Sequence, residues 1–442
     1  MNILSNLFFL VGAGVTYNLI IAASAIIIIS FMFGEFSKKT SIPSVLMLMV
    51  LGIVAKYGLD SIGQGDIEFR PILEILGTVG LIMIVLEAAL ELELKKEKLV
   101  PIAKSMLIAL IGLLASTYIA ALILNHFIDG MSMTSAWLYA TPLSILSSAI
   151  IIPSVGELRA DKKEFHIYES TFSDIMGIML FYFLEAQINI GAEINGQLEE
   201  HGGGATGFFI NVVLTIVISL VASYLIVLIF QNIKSHVKLF LLIAVLLMLY
   251  AIGKKMHLSS LIIILIFGLL IANMKLFFSG PLKKLLNYKE AHHIYEGLHV
   301  ITMETAFVIR TFFFVIFGIT IVLSSLWNGE VAIISGLIIL SIYVIRYIIL
   351  RLFIGADIVP QLFIAPRGLI TILLFYAIPK EVEVAAFEPG ILLFTIIGTS
   401  LIMTGAMIYD KDRSGKAVKN ATNSPVGYSR WKAPSVVRAE EK

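Results

Sequence analysis

Cysteine is absent from all 442 residues, which excludes disulfides, thiolate metal sites, iron–sulfur clusters and palmitoyl anchors. Charge is scarce: 14% of the residues are Asp, Glu, Lys or Arg, against about a quarter in a soluble domain, so a water-soluble globule is ruled out. Neither sign dominates. The 32 Lys and Arg against 31 Asp and Glu leave a formal net charge of +1, far from the basic surplus of a nucleic-acid binder, and no nucleic-acid partner is expected. A helical His-Glu-x-x-His, a Gly-x-Ser-x-Gly elbow and a Thr-Val-Gly-Tyr-Gly filter are missing, and Gly355-Ala356-Asp357 is not the Gly-x-Gly-Asp of membrane aspartyl proteases. These absences argue against an intramembrane hydrolase and a filter-type channel. No enzyme activity is expected.

What is present is apolar. Hydrophobic residues make up 58% of the chain and the mean hydropathy is +0.95; at about 20 residues per crossing there is room for on the order of a dozen transmembrane helices. The expected fold class is an all-α polytopic membrane protein. Hydrophobic runs between charged or Gly/Pro breaks predict about thirteen spans, at 16–34, 42–58, 72–92, 99–127, 132–155, 165–188, 206–232, 238–253, 258–274, 297–323, 331–354, 360–379 and 389–408. Met1 to Gly14 lacks the basic start of a cleaved signal and reads as a short amphipathic lead from which nothing is removed. Residues 1–409 form the transmembrane domain; 410–442, polar and too short for a core, read as a disordered cytoplasmic tail.

Basic residues alternate along the loops. Lys38/Lys39, Lys95/Lys96/Lys98, Arg159/Lys162/Lys163, Lys234/Lys238 and Lys283/Lys284/Lys289 follow odd-numbered spans, whereas the loops at 60–68, 193–200 and 381–388 are acidic or uncharged. The positive-inside rule then puts the N-terminus outside and the C-terminus in the cytoplasm of the cell membrane. Lys254/Lys255 fall on the opposite side from this pattern. The stretch Lys275 to His299 reads as an interfacial linker helix between two halves, and its His292/His293 as solvated or pH-sensing.

Two spans are interrupted: the fifth by Pro142, Ser144, Ser147, Ser148 and Pro153, the twelfth by Pro366 and Gly368. Paired interruptions in corresponding places point to inverted repeats with two broken helices crossing at the midplane, although Pro and Ser also occur in helices that merely bend. Charges inside spans cost about 2.5–3.5 kcal/mol each on insertion scales. This chain carries Glu87, Glu169, Asp174, Glu304, Arg310, Arg346, Arg351 and Arg367 there. The densest cluster is Glu169-Ser170-x-x-Ser173-Asp174. On a helix Ser170 and Asp174 share a face while Glu169 and Asp174 diverge. Asp174 with its serines offers hard oxygen ligands for Na+ or K+, or serves as a buried ion-pair partner.

The run Glu169-Ser170-x-x-Ser173-Asp174 after the broken helix ending Pro153-Ser-Val-Gly-Glu157-Leu158 resembles the ion-site helix of the monovalent cation/proton antiporter superfamily, in its sodium/proton exchanger (NhaP-like) branch. Ser41-Ile42-Pro43-Ser44-Val45, Leu86-Glu87-Ala88-Ala89-Leu90-Glu91-Leu92 and Pro366-Arg367-Gly368-Leu369 are similar to further stretches of that branch. The resemblance implies that Asp174 alternately binds cation and proton, with Ser170, Ser173 and the unwound stretch Leu146, Ser147 and Ser148 adding oxygen ligands. It implies a Glu169–Arg346 ion pair and a bridge from Glu87 to Arg367, and leaves Arg310 as a snorkelling residue or a structural partner for Glu304. It also implies a homodimer in the lipid bilayer and no cofactor beyond the transported ions. Ser173 stands where that branch has Asn, and Leu146-Ser147-Ser148 where it has Thr-Asp-Pro, features closer to the potassium-efflux branch. With Arg346 permanently charged, one carboxylate is left to titrate, which predicts electroneutral exchange of one proton per Na+ or K+ by alternating access. The competing expectation is a potassium-efflux-type pathway or channel on the same scaffold.

Overall fold

A backbone surrounded by hydrocarbon must satisfy its own N–H and C=O groups, so long apolar runs without Gly or Pro close into helices. The computed structural model describes residues 13–40, 42–61, 70–92, 94, 98–192, 205–233, 235, 238–256, 260–278, 286–321 and 328–423. The helices are α1 Ala13–Thr40, α2 Ser44–Ser61, α3 Arg70–Glu91, α4 Leu99–Phe127, α5 Met133–Ser144, α6 Ser148–Ser154, α7 Ala160–Ala192, α8 Ala205–Phe230, α9 Lys238–Lys255, α10 Ser260–Ala272, α11 Met274–Phe277, α12 Tyr288–Thr320, α13 Gly329–Phe353, α14 Leu369–Tyr376 and α15 Gly390–Asn423. Side-chain caps set the starts of α5, α12 and α13, from Ser132, Asn287 and Asn328. Ser132 accepts from the Ser135 amide at 3.1 Å ahead of α5, and Asn328 from the Glu330 amide at 3.0 Å ahead of α13.

Each expected span overlaps helix, the twelfth (360–379) only along α14, and among the described residues seven helices combine the length and apolarity of a bilayer crossing. The others are shorter, interrupted or charge-bearing. The expected linker helix and the tenth span are one element: α12 runs unbroken from Tyr288 to Thr320, because its sequence holds no proline and Asn287 caps its start. Likewise α15 passes the expected boundary at 409 and continues to Asn423, through a mainly polar sequence without proline. The N-terminal lead before residue 13, residues 424–442, Lys95/Lys96, Lys234 and Lys283/Lys284 lie outside the described residues.

Helix α4 packs against α5, α7 and α13, and α13 against α15, so that α4 and α13 stand side by side; α3 packs on α10 and α12, and α12 on α2. The α2–α12 contact depends on glycine. A Cβ on Gly52 would collide with the Val315 carbonyl oxygen and come within 2.8 Å of the Gly318 Cα, so the two backbones touch as small-residue membrane interfaces do. Lys254, opposite to the basic pattern of the loops, places its ammonium 4.9 Å from the centre of the Tyr182 ring.

Candidate functional site

The break between α5 and α6 is an exchange of hydrogen bonds. In a continuous helix the amides of residues 146, 147 and 148 would donate to the carbonyls of 142, 143 and 144. Here Leu146 N–H donates to Ser173 Oγ (3.0 Å), Ser147 N–H to the Pro366 carbonyl (3.0 Å) and Ser148 N–H to Asp174 Oδ2 (3.3 Å). The carbonyls thus freed at Leu143 and Ser144 accept from Arg367 Nε at 2.8 Å and Nη2 at 3.2 Å. The three amides and the carbonyls of Leu143 and Ser144 thus have tertiary partners, which offsets part of the cost of the break and ties three chain segments together.

The second interrupted stretch, 360–368, answers the first. Arg367 Nη1 donates to the Ala365 carbonyl at 2.8 Å and its amide to Thr399 Oγ1 at 3.1 Å. A Cβ on Gly368 would meet Ser147 Cβ and Ile150 Cδ1 at 2.9 Å, so the crossing needs glycine there for close approach. Gly177 plays the same part on α7, where a Cβ would run into the Ile145 side chain.

On α7, Ser173 and Asp174 face the unwound turn, and Asp174 is 3% exposed. Its Oδ2 receives the Ser148 amide, while Oδ1 is buried without a hydrogen-bond partner among the described residues. A buried acceptor left open beside a serine hydroxyl can take a proton or a desolvated cation. Glu169 lies on another face of the same helix. Its two oxygens accept from Arg346 Nη1 and Nη2 at 2.7 and 2.8 Å, a bidentate pair, and Arg346 Nε donates to the Gln361 carbonyl at 3.0 Å. His166, fully buried one turn below, brings Nδ1 to 3.4 Å from Glu169 Oε2.

A cavity of about 240 Å³ approaches Ser148 from the other side. It is lined by Glu87, Ala88 and Glu91 of α3, Ser148 and Pro153 of the α6 turn, and Arg310 of α12. Arg310 Nη2 stands 3.3 Å from Glu87 Oε1, and both side chains keep contact with water at 18% and 12% exposure. The site is therefore a carboxylate at a broken-helix crossing, with a charged vestibule leading towards it.

The structure brings some of the expected site residues together and pairs others differently. Ser173, Leu146, Ser147, Ser148 and Asp174 come together, and Glu169 meets Arg346. Ser170 is fully buried but turns its hydroxyl back to the His166 carbonyl at 2.7 Å. The expected Glu87–Arg367 bridge is absent: Glu87 pairs with Arg310, because α12 lies along α3, while Arg367 finds its acceptors on the C-terminal carbonyls of α5, the negative end of that half-helix. Arg310 does not serve Glu304, which is exposed; six residues on a helix turn two side chains about 240° apart. The sequence reading assigned no role to Glu91 or His166. The four-residue spacing of Glu87 and Glu91, and the three-residue spacing of His166 and Glu169, were the available signals.

Residues 21–408 match the family described as "Sodium/hydrogen exchanger, transmembrane". Two solved structures of the sodium proton antiporter MjNhaP1 from Methanocaldococcus jannaschii, one at pH 8 and one an electron-microscopy map, each align with a TM-score of 0.63. Their identities are 18% and 19%, and in both the alignment covers 92% of this chain and 99% of the other. No protein of curated function matches the chain in sequence.

Proposed function

The chain belongs to the sodium/hydrogen exchanger family, an integral membrane family of transporters, and from that premise we propose that it exchanges one Na+ for one proton at Asp174, with no net charge moved. The observation that carries the proposal is the open Oδ1 of a buried carboxylate at a helix crossing. Proton and cation compete for that oxygen. Either occupant neutralises Asp174, while the bare carboxylate is a buried charge that resists movement through the bilayer, and this asymmetry couples the two fluxes. Glu169 stays bound to Arg346, so one carboxylate remains to exchange.

The packing supports exchange by alternating access. Helices α4, α5/α6 and α7 correspond in order to α13, the 360–376 segment and α15; α4 contacts α7, α13 contacts α15, and α4 meets α13 between them. That correspondence supports inverted repeats within about thirteen spans, whose crossing core moves against α2, α3, α10 and α12. The basic loops favour a cytoplasmic C-terminus, and the vestibule then faces the cytoplasm, since Glu91 ends α3 just before the Lys95–Lys98 loop. The working unit is a homodimer in the cell membrane.

A second reading, K+ in place of Na+, is favoured by the serines at 147, 148 and 173, whose hydroxyls accommodate a larger ion. Proteoliposomes given pulses of Na+, K+ or Li+ under a clamped membrane potential, with an internal pH dye, decide between them. Wild type should move protons with Na+ at a rate independent of the clamp, and Asp174→Asn should lose exchange by at least a hundredfold while keeping its melting temperature. Exchange that persists in Asp174→Asn, or that follows the clamp, defeats the proposal.

A further inference from the structure

Glu87 and Glu91 stand one helical turn apart on α3 and both line the vestibule. Side chains at that spacing are neighbours, with about 5–6 Å between Cβ atoms. Two carboxylates so placed, in a cavity with room for water, are the kind of hard oxygen pair that Ca²⁺ and Mg²⁺ select over monovalent ions. A divalent ion held there would plug the route to Ser148 and Asp174. The third charged group facing the cavity among the described residues is Arg310, already seated on Glu87 at 3.3 Å; the α6 side contributes Ser148, Ala149, Ile152 and Pro153, none of them charged.

We propose that Arg310 is a specificity-determining residue: a tethered cation that cancels one of the two vestibule carboxylates and so keeps divalent ions from lodging on the path to Asp174. With the guanidinium in place, the lining carries two negative charges and one positive. The remaining single charge draws a monovalent cation inward without holding a divalent one. A divalent ion gains twice as much as a monovalent one from each added negative charge, so removing Arg310 strengthens divalent binding more than monovalent binding and shifts selectivity towards the divalent ion. Arginine suits the task because its charge is permanent across the working pH range, so the screen does not lapse as protons pass. The single contact and partial exposure leave Glu87 reachable from water, which is where competition between Arg310 and an incoming ion takes place.

The inference rests on the exchange reading, and its test has an arm that needs no transport. Full-length protein in detergent is titrated with Mn²⁺ and bound metal is read by electron paramagnetic resonance. Arg310→Gln should bind Mn²⁺ at least tenfold more tightly than wild type, Arg310→Lys should match wild type, and Arg310→Gln with Glu91→Gln should return to the wild-type value. In proteoliposomes, Ca²⁺ should inhibit Arg310→Gln at a concentration at least tenfold lower than wild type. No tightening in a variant that melts with wild type overturns the proposal, as does tightening in Arg310→Lys or tightening that survives loss of Glu91. If Arg310→Gln does not fold, wild type still answers: exchange insensitive to millimolar Ca²⁺ upholds the screen, and inhibition by micromolar Ca²⁺ overturns it. Mn²⁺ results that hold in a protein without exchange would leave the vestibule assignment standing and sink the transport reading alone.

Discussion

Arg346 grips Glu169 with two nitrogens at 2.7 and 2.8 Å, behind side-chain exposures of 9% and 1%, whereas Arg310 touches Glu87 with one nitrogen at 3.3 Å at exposures of 18% and 12%. The same two residue types meet across more than 170 residues of sequence in each case, yet the pairs belong to different physical regimes. The first is deeply buried, bidentate and further tied to the Gln361 carbonyl, beside a cavity of about 30 Å³; the second is looser, more exposed and borders a cavity of about 240 Å³. A buried bidentate pair is expensive to break because its partner is stranded, and so it suits a clamp that holds α7 to α13 inside the crossing core. A solvated pair is cheap to break and suits a place where ions come and go.

The sharpest way to break the comparison is to remove one member of the buried pair. Arg346→Met should destabilise the protein by about 3–5 kcal/mol, since Glu169 would be left as an uncompensated buried carboxylate beside His166. Adding Glu169→Gln to Arg346→Met should recover part of that loss, because both charges are then gone and their desolvation with them. Denaturation of the two singles and the double in detergent, read as a mutant cycle, measures the coupling. Equal melting of Arg346→Met and wild type would show that the pair is not the clamp its geometry describes.

A smaller effect is expected at the crossing between the two regions. Gly368→Ala forces a methyl against Ser147 and Ile150, whose atoms would lie within 2.9 Å, and over-packing of this kind costs about 1–3 kcal/mol. The Ser147–Pro366 hydrogen bond fixes the register of the two broken segments, so exchange should fall more than stability does. Gly336→Ala, on α13 with open space around its Cβ position, is the control and should be silent in both assays. A Gly368→Ala protein with wild-type exchange would mean that the crossing tolerates a wider spacing than the structure holds.

The legibility of these regions in the sequence differed for a physical reason. The crossing announced itself through Pro142, Ser147, Ser148, Pro366 and Gly368, residues that helices in lipid avoid unless something else satisfies the backbone. What the residues alone did not disclose was who satisfies it: Ser173 and Asp174 take amides and Arg367 takes carbonyls, contacts that depend on three-dimensional packing. The Glu169–Arg346 contact was expected from resemblance and stands in the geometry. The partner of Glu87 was misread. Composition marks Glu87, Arg310 and Arg367 alike as buried charges in want of partners, and choosing among the possible pairings requires knowing that α12 lies along α3. The α12 boundary was missed for a related reason, since an amphipathic surface segment can run into a membrane helix without any break in its backbone bonding. Residues 410–423 likewise carry polar side chains on a helical backbone, and composition speaks to the first property more than to the second.

The mildest perturbation sharpens the comparison from the more exposed side. Glu87→Gln keeps the shape of the side chain and a hydrogen-bond acceptor for Arg310 while deleting one charge. Because that pair is partly solvated, stability should fall by less than about 1 kcal/mol, far below the loss expected for Arg346→Met. The kinetic signature should be selective. With Glu91 and Arg310 left to face each other, the vestibule lining loses its negative surplus, so the cation concentration needed for half-maximal exchange should rise about three- to tenfold, while the saturated rate stays within twofold. Raising ionic strength with an impermeant salt should narrow the gap between variant and wild type, since screening weakens the attraction that only wild type possesses. A drop in the saturated rate with no change in half-saturation would place Glu87 in the moving machinery instead, and the two arginine–glutamate pairs would then differ in exposure but not in purpose.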